Sequence, residues 1–216
     1  MRVFDFSTAR QADAVVVIGG GPTAGRRLPD ARKFAEERGA LVYSANYEHD
    51  DLPSDYICFA TPSKFKECLN KKPNCKDLVV RDKVAPKTKR YPGYNYYQFC
   101  SQDASDGAYS IKSIPLTKYG HFPLYNIGNA GFSTIALACL SRPKDMLLVG
   151  FDGLRDESSK LTYENKVMAY PAKKGADKKI YFGKVILQFA LDRGIRLHAF
   201  EDDALWGWQS KANIIA

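Results

Sequence analysis

The stretch AVVVIGGGPTAGRR, residues 14–27, runs four β-branched residues into three glycines, a proline, a threonine and then two arginines. Glycines placed directly after a buried strand let the backbone approach a ligand closely. The N–H groups of the turn, and of a helix that follows it, can then be turned on a phosphate. Gly19, Gly20 and Gly21 occupy that place. The spacing is not the full dinucleotide fingerprint G-x-G-x-x-G, because the third glycine position falls on Ala24, and the Gly-Lys-Ser/Thr of a P-loop is missing. Pro22 also fixes φ and removes one donor from the cradle. A tight turn that binds nothing is the alternative reading.

Three further features converge on the same edge. SANYEHDD places Asn46 just after the next apolar run, where its amide can hold a ribose or phosphate oxygen. YNIGNAGFS leads into a helix whose first N–H groups point toward the same crevice. LLVGFDG puts Asp152 at the carboxyl end of a strand.

A second kind of chemistry lies in the middle of the chain. From Lys64 to Arg90 ten lysines and arginines face only Glu67, Asp77 and Asp82, and the formal net charge of the whole chain is +8. The segment RYPGYNYYQF follows at once. Cations beside aromatic faces suit loops or strands that neutralise phosphates and stack on bases. Lys83, Lys87, Lys89, Arg90, Tyr94 and Tyr96 are therefore candidates for contact with nucleic acid or another polyanion. A solvated surface followed by an aromatic strand fits the same residues.

The elements that must position these groups alternate. Asp13–Gly20 reads as a strand buried on both faces. Asp30–Arg38 reads as a helix capped by Asp30 and stopped by Gly39. ALVYSAN, DYICFAT and DLVVR are further strands, with a short helix from Ser63 to Leu69 capped by Ser63. Ala85 to Phe122 is the least regular region, a lid or an insertion. Beyond it, AGFSTIALACL reads as a closely packed helix, DMLLVGFD as a buried strand, IYFGKVILQFALDRG as an amphipathic helix ended by Gly194, and IRLHAF as a last strand.

Such alternation implies an α/β fold: a doubly wound, mostly parallel Rossmann-like sheet with helices on both faces and an irregular lid or insertion. The 216 residues are expected to form one domain, with an irregular basic and aromatic segment at about 81–122 and a lid at about 153–178. No apolar run approaches the roughly 20 residues that span a bilayer, and MRVFDFSTAR lacks the apolar core of a secretory signal, so a cytoplasmic protein with no membrane contact is expected. Five cysteines without C-x-x-C spacing read as reduced and structural.

The glycine turn with its proline and threonine, the Asn after the second strand, NAGFSTIALACLSRPKDMLLVGFDG and FALDRGIRLHAF together resemble the nucleotide-binding core of bacterial sialyltransferases and related Rossmann-like proteins of the pterin pyrophosphokinase type. The resemblance is loose over the first 50 residues and better over 126–200; the middle does not match. It implies that Gly20, Gly21, Pro22 and Thr23 contact the phosphate or ribose of a nucleotide-sugar donor, with Asn46 nearby. Asn129, Ala130 and Gly131 would stand where the family has a Thr-Ser-Gly turn. An amide and a methyl here replace two hydroxyls, so the bound group need not be a sialic acid carboxylate.

The family also implies a lid carrying a histidine base and tyrosines that steady the leaving phosphate. No histidine lies between Asp152 and Leu197. His121, before the Asn129 turn, and His49, after the second strand, are the candidates for the base, with Asp152 or Asp50 as substitutes. His198, inside a strand pattern, reads as structural. Tyr163 and Tyr170 are the candidate phosphate-steadying hydroxyls. No carboxylate pair sits at a strand end, so a metal-independent mechanism is expected, with the nucleotide-sugar as co-substrate and no other cofactor.

The function expected is thus transfer of a sugar to an acceptor hydroxyl on a polyanion, a modified base in DNA being one that suits the basic segment. A pyrophosphokinase-type transferase and a non-catalytic nucleotide or nucleic-acid binding protein are the alternatives.

Overall fold

The computed structural model describes residues 1–21, 23–82, 84–85, 90–99, 102–103, 125–126, 130–151, 161–163, 166–168, 176–201, 205 and 208–215. Pro22, Lys83, Lys87, Lys89, His121, Asn129, Asp152 and Tyr170 lie outside them.

The main sheet is built from β1 (Arg2–Val3), β2 (Ala14–Ile18), β3 (Leu41–Ala45), β4 (Tyr56–Phe59), β5 (Asp77–Arg81), β6 (Asn95–Phe99), β9 (Asp145–Val149), β12 (Arg196–Phe200) and β13 (Asn213–Ile215). Their order across the sheet is β1-β6-β5-β4-β3-β2-β9-β12-β13, and every pairing is parallel. Parallel pairing requires crossovers that cover the faces, so central strands must be apolar on both sides. All five residues of β2 and of β9 are buried accordingly.

Alternation along each strand sorts the core into two sides. Val15, Val17, Tyr43, Tyr56, Cys58, Val79, Met146 and Leu148 join α3 (Ala130–Ala138) and α4 (Ala176–Asp192). The intervening residues face the other way. Val16, Ile18, Val42, Leu147 and Val149 pack under α1 (Ala24–Arg38), and Ile57, Phe59, Leu78 and Val80 under α2 (Pro62–Asn70). Helices on both faces of one parallel sheet make the fold doubly wound, as the strand and helix alternation implies. Two short pairs, β7 (Gln102–Asp103) with β8 (Tyr125–Asn126) and β10 (Leu161–Tyr163) with β11 (Lys166–Met168), stand apart from it. No helix among the described residues is long and apolar enough to cross a membrane.

Three local readings are revised. Helix α1 starts at Ala24 instead of Asp30 and carries Pro29 inside it. Burial of Ala24, Leu28, Ala31 and Ala35 along one stripe against β2 and β9 outweighs the hydrogen bond that proline removes. Helix α2 begins two residues earlier than Ser63 would have it, with Thr61 at the N-cap position making no side-chain capping bond and Pro62 at its first position, where a missing N–H is harmless. The region read as irregular from Ala85 contains β6, a full member of the sheet whose polar residues reflect its place near the edge.

From β2 the chain moves strand by strand in one direction out to β6, then returns to lay β9 on the other side of β2. The connections on either side of β2 therefore diverge. In open parallel sheets that switch point leaves a crevice beyond the carboxyl ends of the two strands.

Candidate functional site at the switch between β2 and β9

The register that pairs Ile18 with Val149 and with Ser44 brings three turns side by side at the carboxyl edge: those after β2, β9 and β3. After β2 the backbone continues to pair. Gly19 donates its N–H to Val149 O at 2.7 Å and Gly21 donates to Gly150 O at 2.8 Å. Gly150 has φ of +72°, and a β-carbon there would stand 2.7 Å from Cβ of Ala24. A β-carbon on Gly19 would stand 2.5 Å from Gly150 O. Two strand ends and the first residue of α1 are thus in backbone contact. Only glycine permits this at both positions.

That packing changes what the turn can offer. The N–H groups of Gly19 and Gly21 are occupied by β9, and the Gly20 N–H has no partner among the described residues. Thr23, the residue preceding α1, is buried and makes no side-chain capping bond, and the first turn of α1 holds Arg26 and Arg27 with no acidic residue. A helix N-terminus without a side-chain cap favours an anion, although Arg27 here pairs with Asp30 at 3.3 Å and lies over the Phe200 ring.

Asn46 follows β3 on the other flank. Its N–H donates to Cys58 O at 3.0 Å, which prolongs the β3–β4 ladder, and its backbone then turns left-handed with φ of +71°. The residue is 8% exposed and its Oδ1 has no hydrogen-bond partner among the described residues. A buried acceptor left unpaired costs about 1–3 kcal/mol, and left-handed backbone outside glycine adds more. Nothing among the described residues compensates for either. Such an orphan beside a crevice fits an acceptor waiting for an O–H or N–H from a ligand.

The N-terminus of α3 closes the same side. Ala130, its first residue, packs against Ala45 and Ala60 at the ends of β3 and β4, and small side chains here let the helix come close. Thr134 donates to Ala130 O at 2.7 Å inside the buried helix. Gly131 is buried beside Ala130. Next to Asn46, the Tyr47 hydroxyl accepts from the Lys64 ammonium, which also pairs with Glu67 at 2.8 Å. Burial raises the Tyr47 hydroxyl above the usual phenol range. Burial opposes the charge on Lys64, but Glu67 and Tyr47 more than offset it, so the ammonium stays charged.

Of the sequence candidates, the structure brings Gly19, Gly20, Gly21, Thr23, Asn46, Ala130 and Gly131 to one edge. His49 lies in the connection from β3 to β4, bridged to Leu52. Its neighbour Glu48 bonds the N–H groups of Asn74 and Cys75 ahead of β5, and Leu52 enters the core under α1, so the chain at His49 is already leaving the carboxyl edge. Tyr163 is in the β10–β11 hairpin. Arg90, Tyr94 and Tyr96 are elsewhere, on a groove at the β1 edge. Sequence reasoning missed Gly150, although a glycine directly after a buried strand was the available signal. It also missed Arg2, whose neighbours come from β6 and carry no signal near it in the chain.

At the opposite, amino-terminal edge, buried Asp145 accepts from Arg196 at 2.9 and 2.7 Å, from Arg38 at 3.3 Å and contacts His198 Nε2 at 2.7 Å. These partners, Arg196 first, hold its carboxyl down at about 2. His198 is thereby a structural tie between β12 and β9, as its strand pattern suggests. Cys58, Cys68, Cys75 and Cys139 are buried free thiols, and burial pushes Cys75 and Cys139 up to about 12. Among the described residues no group of three or more His, Cys, Asp or Glu side chains could hold a metal ion.

No family model matches the chain, and no curated protein matches it. Among solved structures it is similar to the MAf glycosyltransferase from Magnetospirillum magneticum AMB-1, with a TM-score of 0.49 and 9% sequence identity over 92% of this chain. This chain spans 33% of the length of that protein.

Proposed function

We propose that the crevice between β2 and β9 binds a nucleotide-activated sugar and that the protein transfers the sugar to an acceptor hydroxyl. The observation that carries this reading is the orphaned, buried Oδ1 of Asn46 beside the glycine turn at the switch point. A ribose hydroxyl supplies the donor that oxygen lacks. The phosphates then fall toward the Gly20 N–H and the uncapped start of α1.

In the transfer, the acceptor oxygen attacks the anomeric carbon while the bond from that carbon to the nucleotide phosphate breaks. The acceptor proton passes to a base, for which His121 and Asp152 are the candidates, His49 standing where the chain leaves the carboxyl edge, and the nucleotide leaves as an anion. Pro22, Thr23, Asn129, Ala130, Gly131, Tyr163 and Tyr170 complete the proposed donor site. The basic character of the chain favours a polyanionic acceptor, with a modified base in DNA as the specific suggestion.

One observation favours a second reading. With the Gly19 and Gly21 amides already engaged, the turn presents a single N–H, which suits a nucleotide held without turnover. Both readings predict binding, and catalysis separates them.

The test is thermal unfolding with a panel of nucleotides and nucleotide-sugars, followed by an assay for slow donor hydrolysis. A ligand at a hundredfold its Kd stabilises by about 2.7 kcal/mol, a rise of roughly 5–10 °C for a chain of this size. Stabilisation with hydrolysis supports transfer, and stabilisation alone supports the binding module. No shift with any member of the panel overturns both.

A further inference from the structure

Strand β1 is only two residues long. Arg2 and Val3 pair with Tyr97 and Gln98, so the beginning of β6 runs past Arg2 on the outer edge of the sheet. At that place a groove of about 220 Å³ is lined by Arg2, Arg90, Tyr94, Asn95, Tyr96 and Tyr97. Its volume lies below the ~300 Å³ at which pockets for drug-sized ligands begin, so it suits one ring system better than a whole nucleotide-sugar.

The groove is pre-shaped. The Tyr96 hydroxyl accepts from Tyr91 N–H at 2.7 Å and donates to Tyr91 O at 3.1 Å, which closes the loop around Gly93. Tyr94 donates its hydroxyl to Pro73 O at 3.3 Å. Asn95 spends its amide on Asp77 Oδ1 at 2.7 Å. With these polar ends satisfied internally, the groove presents the half-buried rings of Tyr94 and Tyr96, which pack on the α2 side, Tyr97, which packs on the other face against Phe4 and Tyr56, and the guanidinium groups of Arg2 and Arg90 beside Met1.

Neither Arg2 nor Arg90 forms an ion pair among the described residues, and the nearby Lys76 ammonium sits 4.9 Å over the Tyr94 ring. The Asp77 carboxylate, behind the groove lining, is engaged by Asn95. Tyr91, beside Arg90, is one of two large apolar side chains left exposed in the described residues.

We propose that this groove binds single-stranded nucleic acid, with one base against the tyrosine wall and flanking phosphates on Arg2 and Arg90. Aromatic walls are indifferent to base identity but require an unpaired base, and guanidinium groups require phosphates. An acidic peptide would use the charges and leave the rings unused. The inference does not rest on the crevice reading, because the sites are separate. Four strand spacings of ~4.8 Å and a five-residue strand of ~3.3 Å per residue put them roughly 25 Å apart. The groove is thus a holding site on the strand and not the acceptor subsite of the crevice.

The test uses the full chain and a fluorescein-labelled twelve-residue oligothymidylate, followed by anisotropy at 50 and 200 mM salt. Binding is expected to weaken with salt, and Arg90→Glu and Arg2→Glu, with unchanged melting temperatures, are each expected to weaken it tenfold or more. Asn46→Gly in the crevice should leave it unchanged. Absence of binding, binding by both arginine variants as tight as by the parent protein, or equal affinity for an abasic oligomer or for a duplex overturns the proposal.

Discussion

Gly19 approaches Gly150 so closely that a β-carbon on the first would stand 2.5 Å from the carbonyl oxygen of the second. The contact joins the carboxyl ends of β2 and β9 at the switch point, and α1 begins against it. The glycine turn therefore serves packing at Gly19 and Gly150, while the Gly20 N–H has no partner among the described residues.

Gly19→Ala and Gly150→Ala should each destabilise the fold by about 2 kcal/mol or more, since backbone must move and, at Gly150, left-handed φ is penalised as well. Gly25→Ala, in the first turn of α1 with nothing within 4 Å, should instead be neutral or stabilising by up to ~1 kcal/mol. Urea unfolding of the three variants checks the contrast. Equal effects at all three positions would show that the close approach is not there.

Asn46→Gly keeps the left-handed turn available and removes the unpaired acceptor. Its stability without ligand should equal that of the parent protein or exceed it by up to about 2 kcal/mol, since the unpaired acceptor goes and glycine adopts the left-handed backbone freely. The thermal shift produced by the best nucleotide or nucleotide-sugar should disappear. A variant that keeps the full shift would remove Asn46 from the site.

Asp145 has its carboxyl pKa depressed to about 2, below the ordinary value of 3.8, chiefly by Arg196. A depressed carboxylate contributes stability that is fully present above its unfolded value and is lost as pH falls from near 4 toward 2. Asp145→Asn should therefore remove on the order of 1 kcal/mol at neutral pH, after allowing for solvent screening at the exposed Arg196, and flatten the acid side of the stability curve. Chemical unfolding of both proteins between pH 2 and 7 measures this. Parallel curves would mean that the cluster contributes nothing to acid stability.

Pro29 interrupts the hydrogen bonding of α1 yet points to an exposed position. Pro29→Ala should restore a backbone hydrogen bond and raise stability by about 1–3 kcal/mol, measured by thermal unfolding. Destabilisation would mean that the proline holds a bend on which α1 depends.

The sheet was legible because parallel strands buried on both faces are written as short β-branched runs: AVVVI, YICF and DLVVR announce themselves locally, and Gly39 and Gly194 mark helix ends by the same local logic. Asn46 and the glycine turn were legible as candidates for a related reason, since each directly follows such a run. The rest depended on contacts between segments far apart in the chain. That α1 begins at Ala24 despite Pro29 follows from burial against β2 and β9, which no local propensity encodes. That Gly19 and Gly21 give their N–H groups to the end of β9 and the glycine after it, that the Asn46 acceptor is left without a partner among the described residues, and that Arg2 meets the tyrosines of β6 are all consequences of strand order. Residue types near one another in the sequence determine which elements form, because hydrogen bonding and side-chain alternation are local. Only tertiary packing decides which polar groups remain unpaired, because an unpaired group is defined by everything that folds around it.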